Sequence, residues 1–235
     1  MAMKILMTND DGIDAPGLAA LYDAVSDMGV VTVIAPESPQ SGCSHAATTH
    51  RSLHLRAAAP DRFAVDGTPV DCVRLGLSEL VVDADWVLAG INRGGNLGVD
   101  VLMSGTVAAA REASLLGIRS IALSHYLRQP DVDWKAATRW TRSVVPMLQR
   151  RELGPREFWN VNFPDCSGVD SDRPESAAPP GVDCPLDRNP LPMHFERRQE
   201  TLRYRGDYHA RQRDPGSDVS QCFSGNIAIT RIPVW

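Results

Sequence analysis

The sequence predicts an α/β protein built on a mostly parallel sheet, and three observations carry that prediction. Apolar runs of strand length alternate with stretches of helical periodicity through the first half of the chain, the pattern of repeated strand-helix units. The first apolar run, Lys4-Ile5-Leu6-Met7, halts at two adjacent carboxylates and a glycine, Asp10-Asp11-Gly12. In a parallel sheet such a junction lies at the carboxyl edge of a strand, where ligands bind. The length, 235 residues, suffices for one sizeable core. Residues 1–165 are expected to form the α/β core, and 166–235 a long loop, a hairpin arm and a final strand of the same domain.

The elements follow in order. After the acidic loop, Pro16 suits a helix's first turn, and Leu18, Leu21, Tyr22, Val25 and Met28 recur at helical spacing until Gly29. Val30 to Ala35 reads as a strand, Pro36 to Thr49 as a polar loop, and Ser52 to Arg56 with Arg62 to Asp66 as an antiparallel pair. Thr68 caps a helix bearing Val70, Val73, Leu77 and Leu80, with Cys72 in the core. Trp86 to Ile91 is a strand, Asn92 to Gly98 a glycine-rich loop, Val107 to Leu116 a helix and Ile118 to Ser124 a strand. A helix over 133–150 and the strand Phe158 to Phe163 complete the regular part. Residues 164–192, rich in Pro, Asp and Ser, read as a long loop, Phe195 to Tyr208 as an arm or hairpin, and Asn226 to Ile232 as a last strand.

Composition narrows the function. Hydrophobic residues at 43% and charged residues at 23% fit a folded globular chain. A formal net charge of -5 argues against duplex nucleic acid as partner, since phosphate neutralisation needs a basic face. The five cysteines are dispersed and lack the close pairs of structural zinc sites, which suggests free thiols. No signal segment or bilayer-length apolar run is present, so a cytoplasmic protein without membrane contact is expected.

Three loops after predicted strands carry oxygen donors: Asp10 and Asp11, then Ser41, then Asn92. If those strands are neighbours, the loops open on one crevice and can share one hard cation, magnesium or manganese, with calcium also suited. The plainer alternative is a solvated turn in which Asn9 or Asp10 caps the next helix. Ser104-Gly105-Thr106 stands at a helix start, where free amides and the helix dipole favour phosphate; the alternative there is simple capping. The spacing matches neither a Walker loop nor a dinucleotide fingerprint. His45, near Ser41, is either a solvated loop histidine or an acid-base group. A cation beside a phosphate cradle points to phosphoryl hydrolysis. The competing classes are a nucleotide-binding sensor without turnover and a signalling receiver module. The latter wants an aspartate acceptor and a later lysine, where this chain has Asn92 and Ser124-His125.

The segments Thr-Asn-Asp-Asp-Gly-Ile-Asp-Ala-Pro-Gly (8–17), Ala-Pro-Glu-Ser-Pro-Gln-Ser-Gly (35–42), Gly-Thr-Pro-Val-Asp-Cys-Val (67–73), Gly-Ile-Asn-Arg-Gly-Gly-Asn-Leu-Gly (90–98) and Ser-Gly-Thr-Val-Ala-Ala-Ala-Arg-Glu (104–112) resemble the survival protein SurE family. The resemblance implies a Rossmann-like three-layer core with an extended β-hairpin arm. It also implies a metal-dependent phosphatase of nucleoside 5′- and often 3′-monophosphates, with short polyphosphate as a further substrate of some members. One divalent cation per subunit would rest on Asp10, Asp11, Ser41 and Asn92. Gly42, Asn96, Ser104, Gly105 and Thr106 would bind phosphate or substrate, and Asp10, Asn96 and Thr106 would carry the catalytic roles. Homodimers or homotetramers through exchanged carboxyl-terminal elements are implied, although the family usually continues into a terminal helix where this sequence reads Ile232-Pro233-Val234-Trp235. Met103 and Ser114 replace an aromatic and a glycine common in the family, changes that bear on substrate fit.

Overall fold

A computed structural model describes residues 2–165 and 178–234. In chain order the elements are β1 (Met3–Thr8), α1 (Pro16–Val25), β2 (Gly29–Pro36), β3 (Leu55–Ala59), β4 (Arg62–Val65), α2 (Pro69–Leu75), β5 (Trp86–Arg93), α3 (Gly105–Leu115), β6 (Arg119–His125), α4 (Trp134–Gln149) and β7 (Glu157–Phe163). They continue with β8 (Gly181–Asp183), β9 (Phe195–Arg198), β10 (Thr201–Tyr204), α5 (Asp218–Phe223) and β11 (Ile227–Pro233). Nine strands form one sheet in the order β3-β4-β2-β1-β5-β6-β7-β11-β8. β4, β2, β1, β5, β6 and β7 run parallel to their neighbours in that series; β3 and β11 are antiparallel to β4 and β7.

The three-layer arrangement follows from the alternation of side chains along each strand. Ile5 and Met7 of β1 face the cluster holding Leu18, Leu21 and Val25 of α1 with Trp140, Val144 and Leu148 of α4. Leu6, between them, faces the opposite cluster with Cys72 and Val73 of α2 and Val107, Ala110 and Ala113 of α3. Burying each large apolar side chain contributes about 1.5–3 kcal/mol. Cys72 lies in the core as its pattern suggests, and the described cysteines are free thiols. Among the described residues no helix is long and apolar enough to cross a membrane.

Several boundaries differ from the sequence expectation. The helix capped by Thr68 stops at Leu75 and passes into a wider π turn over Gly76–Leu80, so Leu77 and Leu80 are not on its α-helical face. The first strand of the antiparallel pair is shifted to Leu55–Ala59. The glycine-rich loop ends in a 3-10 turn, Gly98–Leu102. The predicted loop over 164–192 lies partly outside the described residues, and its described part contains β8, which adds to the sheet beside β11. α5 was not expected; Ser217 caps it by accepting from the Ser220 amide. β9 and β10 form the expected hairpin, a two-stranded ribbon separate from the main sheet.

Candidate active site

β2, β1 and β5 are adjacent and parallel, so the loops leaving them emerge side by side at one edge of the sheet. The first loop is shaped by Asn9, not by the acids. Its Nδ2 donates to Gly12 O at 2.9 Å, and its Oδ1 accepts from the Gly12 amide at 3.2 Å. Gly12 sits at φ +104°, a conformation that L side chains rarely adopt. The helix cap of α1 is Ala15, without a side-chain bond, so neither Asp10 nor Asn9 caps it. Capping therefore does not account for the acidic pair.

Backbone bonds stitch the other loops to this one. The Gln40 amide donates to Asp10 O at 2.7 Å, so Ser41 directly follows a residue bonded to Asp10. The Arg93 amide donates to Asp11 Oδ2 at 3.1 Å, so Asn92 directly precedes a residue bonded to Asp11. Asn92 Nδ2 donates to Gly94 O at 2.9 Å, leaving Oδ1 as the acceptor end of its amide. The start of α3 closes the group. Thr106 Oγ1 donates to Asp10 Oδ1, and Ser104 caps the helix by accepting from the Val107 amide at 3.1 Å. As an acceptor, the Ser104 hydroxyl keeps its own hydrogen available to donate. Gly105 permits the contact: a Cβ there would stand 2.9 Å from Asp10 Cβ and 2.8 Å from Cys43 Sγ.

Burial pushes the Asp10 carboxyl up from its ordinary value, against the Thr106 hydrogen bond and with the charge of Asp11. Burial also pushes Asp11 up, against the amide and guanidinium of Arg93. Two neighbouring carboxyls, one only 4% exposed, pay a desolvation cost that a cation would relieve. Among the described residues no three His, Cys, Asp or Glu side chains group to hold a metal. An ion here would thus use two carboxylates, the neutral oxygens of Ser41 and Asn92, and water, a hard oxygen set suited to magnesium or manganese.

Asn96 is held differently from the other expected residues. It is buried, its Nδ2 donates to Ser124 Oγ at 2.7 Å, its amide donates to Asn162 Oδ1 at 2.7 Å, and its carbonyl accepts from Asn160 and Asn162. Sequence reasoning passed over Arg93, although it adjoins Asn92, and Cys43, whose thiol lies against the start of α3. It also passed over Glu112. A lone acid in the alanine-rich part of α3, eight positions after Ser104, was the available signal.

A three-layer α/β sheet whose carboxyl edge sets buried Asp10 and half-buried Asp11 against a helix N-terminus defines a Rossmann-like protein with an oxygen-rich corner. Residues 5–177 match the family described as "Survival protein SurE". A protein of Synechocystis sp. named "Putative 5'-nucleotidase alr3139" is 47% identical over 233 residues, 99% of this chain and 100% of that one. A "5'-nucleotidase SurE" of Geotalea uraniireducens is 48% identical over 164 residues, covering 69% of this chain and 66% of its own. The crystal structure of the SurE protein from Aquifex aeolicus superposes with a TM-score of 0.86 at 28% identity, covering 99% of this chain and 94% of that one. The chain belongs to the SurE family.

Proposed function

We propose that this protein is a divalent-metal-dependent phosphatase that hydrolyses nucleoside 5′-monophosphates, and 3′-monophosphates with them, to nucleoside and phosphate. The observation that carries the reading is the packing of Asp10, buried beside Asp11, against the first turn of α3 through Gly105 and Thr106. The names of its relatives point the same way. Asp10, Asp11, Ser41 and Asn92 would hold one magnesium or manganese ion. When bound, that ion supplies positive charge to the phosphoryl oxygens and lowers the pKa of a water.

The chain's own groups orient the ester. The first turn of α3, with the Ser104 hydroxyl, receives the phosphate oxygens, while the Thr106 hydroxyl is given to Asp10, and exposed Gly42 leaves room for the substrate at the mouth. Water attacks phosphorus, the P–O ester bond breaks, and a proton passes to the departing ribose oxygen; Asp10 is the carboxylate placed to assist that transfer. An aspartyl phosphate on Asp10 is the competing route, but Gly12 stands where the second acid of an Asp-x-Asp phosphatase motif would be. Assembly into a homodimer or homotetramer through carboxyl-terminal elements accords with exposed Met193, Phe195, Leu202 and Tyr204 on and beside the ribbon.

Chelator-stripped protein resupplied with single metals and offered 5′- and 3′-mononucleotides should release phosphate only with magnesium or manganese. Tight nucleotide binding without release would make it a sensor. Release undiminished by chelator would remove the cation from the account.

A further inference from the structure

Glu112 has no part in the chemistry above, yet it is 3% exposed and sits inside α3. Its Oε1 accepts from Arg74 Nε at 2.5 Å, and its Oε2 lies 2.8 Å from His45 Nε2. The other ring nitrogen, Nδ1, lies 3.4 Å from Arg111 Nη1, which can only donate. Nδ1 is therefore the acceptor, and Nε2 carries the hydrogen that Glu112 receives. Both nitrogens are engaged, so His45 is not a solvated bystander: its ring is tied to two side chains of α3.

Three elements meet on this carboxylate: α3, whose first turn packs on Asp10; α2, through Arg74; and the loop after β2, through His45. Ser41 and Gly42 on that loop are exposed, and a Cβ on Gly42 would touch nothing, so their own packing does not hold them. Neighbouring ties do. Ser44, at φ +54°, donates from its amide and hydroxyl to the carbonyls of Met103 and Leu102 at 3.0 and 2.7 Å. Farther along, Thr48 donates to Asp71 from its amide and hydroxyl, both at 2.8 Å. His45 is the side chain of this loop that reaches the interior of α3.

We propose that Glu112 is a positioning residue: by accepting the His45 Nε2–H it fixes the Ser41-Gly42 turn over the first turn of α3. The proposal rests on the site described under the proposed function. It predicts that the imidazole serves as a hydrogen-bond donor, a part that glutamine can take because its carboxamide nitrogen stands where Nε2 does.

The test compares His45→Gln, His45→Ala and Glu112→Gln by three measurements. These are amide hydrogen exchange of residues 40–48 without metal, manganese affinity by calorimetry without substrate, and KM and kcat for AMP. His45→Ala should speed exchange in that loop and raise both the manganese Kd and KM about tenfold, as loss of a supporting partner does, with kcat changed by less than about threefold. His45→Gln should stay within about threefold of the parent protein throughout. Equal loss of kcat in both histidine variants, with exchange unchanged, would make the imidazole a proton carrier and overturn the proposal. So would unchanged exchange and affinity in His45→Ala. If that variant does not fold, Glu112→Gln, which leaves one acceptor oxygen for two donors, takes its place: faster exchange over residues 40–48 with weaker manganese binding supports the proposal, and exchange and affinity unchanged would overturn it. A parent protein that neither binds manganese nor releases phosphate would sink the proposed function, while the exchange measurement would still decide the positioning role.

Discussion

Glu112 and Glu196 hold similar partners in opposite surroundings. Each carboxylate takes two basic side chains, Arg74 and His45 at 2.5 and 2.8 Å on Glu112, Arg198 and Arg205 both at 2.8 Å on Glu196. The Glu112 side chain is 4% exposed beneath the site, and Glu196 is 35% exposed on the ribbon. An interaction worth about 1 kcal/mol in water strengthens several-fold where water is excluded. The contrast extends to whole regions. Around Asp10, Asn96 and Glu112 the carboxylates and amides are buried and bonded to neighbours; on the ribbon they are wet and replaceable. Substitutions in the first region should move function or stability sharply, and those in the second should not.

Asp10→Asn is expected to have the largest effect. It should lower kcat by roughly 10²–10³, the scale on which preorganised charge acts at a reacting centre. Stability without metal should be unchanged or higher, because the substitution removes a buried charge beside Asp11. Phosphate release and thermal unfolding, measured on one preparation, check both halves. Activity above a tenth of the parent's would move the chemistry away from this corner.

Next in size is Arg211→Met, which tests a dry charge outside the chemistry. Arg211 reaches Asp100 Oδ2 at 2.8 Å with its side chain 0% exposed, and Tyr208 donates to the same oxygen at 2.6 Å. Its Nη1 also reaches the Leu97 carbonyl, and Asp218 accepts from the Gly98 amide, so the carboxyl-terminal segment holds the loop leading to Ser104. Removing the cation strands Asp100 and should cost about 3–5 kcal/mol in urea unfolding. Adding Asp100→Asn should return part of that loss. A cost below about 1 kcal/mol would show that this region is no drier in effect than the ribbon.

The same reasoning gives Glu112 a pH signature. The His45 and Arg74 bonds hold its carboxyl below the ordinary value of 4.5, against the burial that would raise it. Arg74 faces it from α2, His45 from the loop, and Arg111 adjoins it on α3. A depressed carboxylate contributes stability that is fully present above its unfolded pKa and is lost as pH falls through its folded one. Glu112→Gln should therefore cost about 1–3 kcal/mol near neutrality. The gap from the parent should narrow as pH drops below about 4.5. A gap that widened on acidification would contradict the sign of the shift.

Much of this site was legible because its signals are local. The halt of β1 at Asp10-Asp11-Gly12, the Thr68 cap and the Ser104 start of α3 each occupy a few consecutive residues, and the structure has all three. The rest depends on distance or brevity. Asp100 and Arg211 are 111 positions apart, and nothing near either residue announces the other. α5 has six residues and β8 three, too few for periodicity to show. Glu112 was visible as a lone acid among alanines, but its meaning required the arrival of His45 from a loop 67 positions earlier.

Glu196→Gln sharpens the comparison from the other side, since it removes the charge from a carboxylate with as many basic partners as Glu112. Those partners are long side chains, 77% exposed at Arg198 and 41% at Arg205, and water replaces whatever they lose. Holding them in one geometry also costs side-chain entropy, which offsets most of the Coulomb gain. The expected loss is below about 0.5 kcal/mol, within the scatter of ordinary surface changes. Salt should shrink it further, because exposed pairs are screened over about 8–10 Å. Urea unfolding at low and moderate salt reads both effects. A loss comparable to that of Glu112→Gln, insensitive to salt, would mean that the ribbon is buried in solution against another copy of this chain, and Glu196 would then belong with the dry residues.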